Sequence, residues 1–370
     1  MKIGFIVGKK DDTVADNFYD KVATLPQKYH AKIRGNYVIP VDAALAWYIH
    51  QKYNVTVNIL KPTTLLKSNL LENDVNFPIG FDLLDAKWSR KKNLDKLFRQ
   101  ILYYKKYHVA PTWPLQNFVY NKGLYLKYLE SKGIPIAPTF LIKAKNTEYS
   151  SKSIRNIIIK VINRSWTTFI IKPDGGMESK LVLKLNLNDI NLAKKLKKYL
   201  DQNRLQFPRF IFQEAMKGFL KYPEIRTYWF DEKFAYSIGT IDSAPVPPRK
   251  TGEEKVIKVP WYSLHQCKKI ARKVLKVLPR EYHKGKFLKP IMVRIDFGCC
   301  QGNSLNSLKY FVNEVELQTA GLYSNFTTYS IIPKLAQLFV KRAEVLTGKK
   351  INLRKKKKLI KKLRKSPKKY

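Results

Sequence analysis

Acidic side chains are scarce in this sequence. Only 28 Asp plus Glu stand against 71 Lys plus Arg, a formal net charge of +43, and a body so basic attracts polyanions, whether nucleic acid, a phosphorylated small molecule or an acidic surface. Cysteine is rarer still: Cys267, Cys299 and Cys300 form no Cys-x-x-Cys pair, which argues against a zinc cluster or a disulfide framework and fits a reducing compartment. No run of about 18 apolar residues occurs. The N-terminal apolar stretch Ile3 to Val7 stops at Gly8-Lys9-Lys10-Asp11-Asp12, too short for a signal peptide or a membrane span, so a cytoplasmic protein is expected. There is no Gly-x4-Gly-Lys-[Ser/Thr] segment, which excludes a P-loop. The histidines, His30, His50, His108, His265 and His283, show neither ligand spacing nor the pattern of a nucleophilic triad. No internal repeat is visible.

The charge is not a property of one segment. Thirteen basic and no acidic residues lie between Lys349 and Lys369, yet most of the excess sits outside this tail. Lysine outnumbers arginine 56 to 15 and Asn and Ile are abundant. That bias also arises by composition alone, as in AT-rich genomes including those of large DNA viruses, so a virion-packaged protein is a second option. The tail reads as a solvated extension, or as an anion-anchoring arm.

With 370 residues, 45% of them hydrophobic, the chain can bury two or three packed units. Residues 2–8 form a short apolar run ending in glycine, as a buried parallel strand does. Residues 41–53 carry apolar side chains at helical spacing, 54–60 are β-branched and strand-like, 77–84 form another apolar run, and 92–107 read as a basic amphipathic helix. This alternation predicts a small α/β unit with a parallel sheet up to about residue 112. Pro111 and Pro114 punctuate the chain, and a helix is expected over 118–131 before Gly133 and Pro135 stop it. The middle third predicts strands over 139–144, 168–172, 180–185, 209–214, 225–230 and 234–240, with helices over 189–202 and 264–277, an α+β unit of two subdomains. A proline-rich loop occupies 241–259.

Two apolar strands near the C-terminal third carry unexpected charge. Val293-Arg294-Ile295-Asp296-Phe297 alternates, and so does Phe311-Val312-Asn313-Glu314-Val315-Glu316-Leu317. Period two puts Arg294 with Asp296, and Glu314 with Glu316, on one face of each strand. If the strands pair as a hairpin around 302–304, three carboxylates converge, and they repel one another unless cations share the site. Oxygen ligands without His or Cys select Mg2+, with Mn2+ as an alternative, ions that bridge nucleotide phosphates. Upstream, Phe169-Ile170-Ile171-Lys172-Pro173 is a strand ending in a lysine, followed by Asp174-Gly175-Gly176-Met177-Glu178-Ser179. A glycine pair there lets backbone N–H groups approach phosphate oxygens.

In order and spacing these pieces resemble the ATP-grasp superfamily over roughly residues 1–345. The resemblance rests on Asn117, Asn121-Lys122, Gly133-Ile134-Pro135-Ile136-Ala137-Pro138-Thr139, Lys172-Pro173 with its small-residue loop, Phe212-Gln213-Glu214-Ala215-Met216, Pro223-Glu224-Ile225-Arg226, Arg294-x-Asp296 and Glu314-x-Glu316. It implies an α/β N-terminal pre-ATP-grasp domain (1–112), an α+β ATP-grasp domain of two subdomains (113–212 and 213–348) and a basic tail (349–370). It further implies that Lys122 and Lys172 hold ATP phosphates and that Gly175, Gly176 and Ser179 lie in a loop closing over them. Gln213, Glu214 and Met216 would border the adenine, and Glu224 would accept from the ribose. Asp296, Glu314 and Glu316 would bind two Mg2+, Arg294 would stabilise the phosphoryl group in flight, and Arg226 would face substrate or phosphate. The chain departs from the family at Asn121, usually aspartate, at Glu316, more often asparagine, and at Glu178, an acid in a phosphate loop.

Most such enzymes phosphorylate a carboxylate and let an amine or thiol attack the acyl phosphate, so the expected partners are small-molecule acids and amines. Two alternatives stay open: a kinase acting on a polyanionic alcohol such as an inositol phosphate, and a retired scaffold serving as a basic structural or nucleic-acid-associated protein.

Overall fold

A computed structural model describes residues 1–8, 21–33, 36–61, 67–79, 108–175, 181–241, 255–300, 308–318, 320–323 and 331–354. The helix expected over 92–107, most of the 241–259 loop and the hairpin tip at 302–304 lie outside these residues.

The N-terminal part contains β1 (Lys2–Ile6), a hairpin of β2 (Ala31–Ile33) and β3 (Asn36–Val38), α1 (Val41–Lys52), β4 (Thr56–Leu60), α2 (Lys67–Leu71) and β5 (Val75–Pro78). β1 lies between β4 and β5 and is parallel to both, as the apolar runs separated by a helix predict. The carboxyl ends of parallel strands are where such sheets meet ligands. Here, at the end of β1, Asp42 accepts the Gly8 N–H at 2.6 Å.

The middle part runs α3 (Trp113–Tyr120), α4 (Lys122–Ser131), β6 (Thr139–Lys143), α5 (Ser151–Ile162), β7 (Thr168–Pro173), β8 (Leu183–Asn186), α6 (Leu192–Asn203) and β9 (Arg209–Glu214). Where one helix is expected over 118–131, two form. Pro114 in the first turn starts the earlier one, since its missing N–H costs nothing there, and Asn121 leaves the helical region with ψ 71°. The strands make an antiparallel sheet in the order β6-β9-β7-β8. Its apolar face packs with Ile154, Ile157 and Val161 of α5 and Leu192, Leu196 and Leu200 of α6. α5 is capped by Ser150, whose hydroxyl accepts the Ser153 N–H.

The last part comprises α7 (Lys217–Lys221), β10 (Glu224–Phe230), β11 (Lys233–Ile241), β12 (Lys255–Ile257), α8 (Trp261–Val277), the hairpin β13 (Glu281–His283) and β14 (Lys286–Leu288), β15 (Met292–Cys299), β16 (Tyr310–Glu316) and α9 (Ile331–Thr347). Five strands pair antiparallel in the order β12-β11-β10-β15-β16. α8 covers one face through Cys267, Ala271, Val274 and Leu275.

α9 leaves this sheet and packs on the first one. Phe339 meets Phe5 and Phe77 with ring centroids 5.5 and 5.0 Å away, both edge-on, contacts each worth about 1 kcal/mol beyond area burial. Gln318, just after β16, donates to the carbonyls of Pro78 and Ala110 at 2.9 and 3.0 Å, which fixes the end of the charged strand against the N-terminal sheet. Among the described residues no helix is long and apolar enough to cross a membrane.

Candidate active site

Strand register decides which charges meet. β15 lies between β10 and β16, and its antiparallel pairing places Arg226, Asp296 and Glu314 in one row across the three strands, with Tyr228, Arg294 and Glu316 in the next. A bulge between Asp296 and Phe297 pairs Phe297 with Val312 and leaves Asn313 as the extra residue. The bulge turns Asn313 and Glu314 to the same open face, because one inserted residue breaks the period of two. Asn313 donates to Glu224 Oε1 at 2.7 Å, a contact that strict alternation hides.

Each carboxylate is turned to a protein cation. Arg294 grips Asp296 bidentately, its Nε at 2.8 Å and its NH2 at 2.7 Å, and the same NH2 lies 3.1 Å from Glu316. Glu314 pairs with Lys122. Arg226 donates to Glu224 at 3.0 Å, comes within 3.9 Å of Asp296, and is covered by Tyr323, whose hydroxyl accepts from NH1 and whose ring stacks on the guanidinium at 5.0 Å. Tyr323 sits in the left-handed region at φ 52°. Its loop is tied down by the stacked pair Tyr228 and Tyr236, whose hydroxyls donate to the carbonyls of Gly321 and Leu322.

Two lysines stand opposite, one from the other antiparallel sheet and one from a helix beside it. Lys172 is the last residue but one of β7, and Lys122 opens α4. Tyr125 on α4 accepts the Val315 N–H at 3.0 Å, from the residue between Glu314 and Glu316, so the helix bearing Lys122 is fastened to the strand bearing the acids. Gly175 has φ 92° and is buried, a conformation that favours glycine; Gly176 and Ser179 lie outside the described residues. On β9, Gln213 donates to Thr139 at 2.9 Å and Glu214 is half-buried, with Met216 just before α7.

Electrostatically the site is under load. Burial pushes Asp296 up to about 6 despite Arg294, and burial with its acidic neighbours pushes Glu316 up to about 7. For Glu314 burial acts in the same direction but is outweighed by Lys122 and Arg294, which bring it down to about 2. Burial and the neighbouring Lys122 lower Lys172 to about 8. Among the described residues Lys172 has no ion pair. A depressed lysine destabilises the fold below its native pKa, and the cost disappears as pH rises from 8 toward 10.5, where the unfolded chain holds the extra proton. Lys172→Met is therefore expected to raise the unliganded stability at pH 7 by about 3 kcal/mol and to give no gain above pH 10.5. Chemical denaturation at the two pH values measures this.

Among the described residues no three carboxylate, imidazole or thiolate groups converge on one point as the side chains stand. The donor chemistry nevertheless fits a hard divalent cation. Asp296 is buried and Glu316 half-buried, the two share one guanidinium, and their oxygens, with those of Glu314, suit Mg2+. Sequence reasoning singles out Lys122, Lys172, Arg226, Arg294, Asp296, Glu314 and Glu316, and the fold brings all seven into one cluster of charges. It misses Asn313, Tyr323, Tyr125, Asp174 and Arg209. Of these only Asp174, two residues after the strand-ending lysine, carried a readable signal.

No family model matches the chain, and no curated protein matches it by sequence. Solved structures do match. The chain is similar to the D-cycloserine synthetase DcsG, with TM-score 0.64 and 14% identity over 93% of this chain and 100% of that one. The D-alanyl-alanine synthetase A of Vibrio cholerae follows, with TM-score 0.58 and 11% identity over 94% and 99%. The ATP-grasp ligase PsnB in complex with its minimal precursor has TM-score 0.51 and 12% identity over 92% and 98%. At these identities the likeness establishes architecture: the chain has the ATP-grasp fold.

Proposed function

We propose that the protein is a magnesium-dependent ATP-grasp ligase that activates a carboxylate as an acyl phosphate for attack by an amine or thiol. One observation carries the reading: on an ATP-grasp fold, a lysine from a strand of one sheet and a lysine from the helix beside it meet a row of acids and arginines held in register by another sheet. Lys122 and Lys172 would hold the phosphates, with Gly175, Gly176 and Ser179 over them. Gln213, Glu214 and Met216 would border the adenine and Glu224 the ribose. Asp296, Glu314 and Glu316 would bind magnesium, which neutralises phosphate charge when present.

The residues' own work is positioning and charge stabilisation, which supply most of the catalysis in phosphoryl transfer. Nucleotide phosphates would take Lys122 from Glu314, freeing that carboxylate for the metal. Arg294, fixed by Asp296 and Glu316, would present its remaining N–H groups to the phosphoryl group as charge builds. Arg226, pinned under Tyr323, would face the acceptor carboxylate. We take 1–112, 113–212 and 213–348 as working domain bounds, with α9 shared with the first core.

The balance of charge favours ligation over a kinase reading. Among the described residues Lys122, Arg226 and Arg294 are each paired with a carboxylate, which supports ligation over phosphorylation of a polyphosphorylated alcohol. The expected result is a magnesium-dependent thermal shift with a nonhydrolysable ATP analogue, then ADP release that requires an acid and an amine together. Phosphate retained on an inositol phosphate would support the kinase instead, and absence of the thermal shift would remove both.

A further inference from the structure

Asp174 is a buried carboxylate that the reaction does not use, with its side chain wholly out of solvent. It follows Lys172-Pro173 and accepts two hydrogen bonds, one from the Gly123 N–H at 2.9 Å and one from Arg209 Nε at 2.7 Å. Its own N–H donates to the Arg209 carbonyl at 2.9 Å. Arg209 reaches on with NH2 to Asn121 Oδ1 at 2.9 Å. Gly123 is the second residue of α4, and Asn121, at the capping position before that helix, makes no side-chain cap bond of its own. A free N–H at a helix N-terminus needs an acceptor, and a carboxylate there also opposes the helix dipole. Asp174 supplies that acceptor from another element. The approach is close: a Cβ on Gly123 would stand 2.7 Å from Leu141 Cδ2 and 3.2 Å from Asp174 Oδ2.

Lys122 is the first residue of the helix so capped, and Lys172 lies two residues before the cap. From this geometry we infer that Asp174, with Arg209 and Asn121, is a positioning clamp that sets the spacing of the two phosphate-facing lysines. The inference rests on the ATP reading above. Arg209 already has its carboxylate in Asp174, so position 121 needs only a neutral acceptor.

The clamp predicts a phosphate-specific defect that a general loss of packing does not produce. In the full-length protein, Asp174→Asn should weaken ATP binding about tenfold, the scale of one charge-assisted hydrogen bond, while adenosine binding stays unchanged. The charge swap Asn121→Asp with Asp174→Asn returns the carboxylate to Arg209 and leaves an amide oxygen for Gly123, so ATP affinity should recover to within about threefold of the original. If the single variant does not fold, the swap and Asn121→Ala carry the test, the latter with about a threefold loss for ATP and none for adenosine. Titration calorimetry with both ligands decides. Unchanged ATP affinity in Asp174→Asn, an equal loss for adenosine, or a swap that restores nothing overturns the clamp. A wild-type protein that binds no ATP overturns the nucleotide reading and the clamp with it, a result distinct from failure in the variants alone.

Discussion

Replacing Glu314 with Gln is expected to lower magnesium-dependent ATP turnover roughly 10^3-fold, the loss typical when a group aimed at transition-state charge is removed. Glu314 stands at the centre of the site, paired with Lys122 and in register with Asp296. Its amide replacement keeps size and one hydrogen bond but loses the charge that would hold a cation. Stability should fall too, because Lys122 is left beside Lys172 with no carboxylate of its own. The two side chains of the pair keep 20% and 19% exposure, so the cost lies below that of a completely buried pair, at about 2 kcal/mol. The sign with pH follows. Glu314 is held at about 2 in the folded protein, so its contribution is present above the ordinary carboxylate pKa and disappears as pH falls toward 2. Denaturation of wild type and variant at pH 7 and pH 3 should show the gap narrowing at the lower value. Equal turnover in the two proteins would remove Glu314 from the mechanism.

Arg294→Met should produce the largest loss of stability, about 3 to 5 kcal/mol at pH 7.5. Asp296 is almost inaccessible and loses a bidentate partner, and Glu316 loses the guanidinium 3.1 Å away. Both acids already sit above the usual carboxylate range, at about 6 and about 7, and without the arginine they would rise further. An acid with a raised native pKa costs stability as pH climbs from its unfolded value to its folded one, so the deficit against wild type should grow between pH 5 and pH 8. Arg294→Lys restores charge without the planar fork and should fall between the two. Urea unfolding across that range is the measurement, and a deficit independent of pH would show that the acids are not what Arg294 holds.

How much of this was readable before the structure depends on the range of the interaction. Period two along 293–297 and 311–317 puts the charged residues on common faces without knowledge of any partner strand. The bulge at Asn313 arises only when β16 is laid against β15, so its contact with Glu224 has no local signature. Lys172 reads as a strand-ending lysine, yet the clamp at Asp174 is closed by Arg209 and Gly123, 35 and 51 residues away, and Tyr323 reaches Arg226 across 97. Helix α5 escaped because Ser150 and the isoleucines that follow read equally well as a loop and a β-branched run, and packing on the sheet decides the matter. α9 escaped for the opposite reason: it is apolar enough to suit several contexts, and its partner was made some 250 residues earlier.

That last separation bears on how the molecule is assembled. β1, α1 and β5 are made first, and Phe339 closes against Phe5 and Phe77 only once α9 has been made. During synthesis the first-made sheet waits for one of the last helices, whereas both antiparallel sheets can close on chain already in hand. Contacts of such long range are slow to form, so completion of the N-terminal core is expected to come late in folding, after the lysines and acids have met.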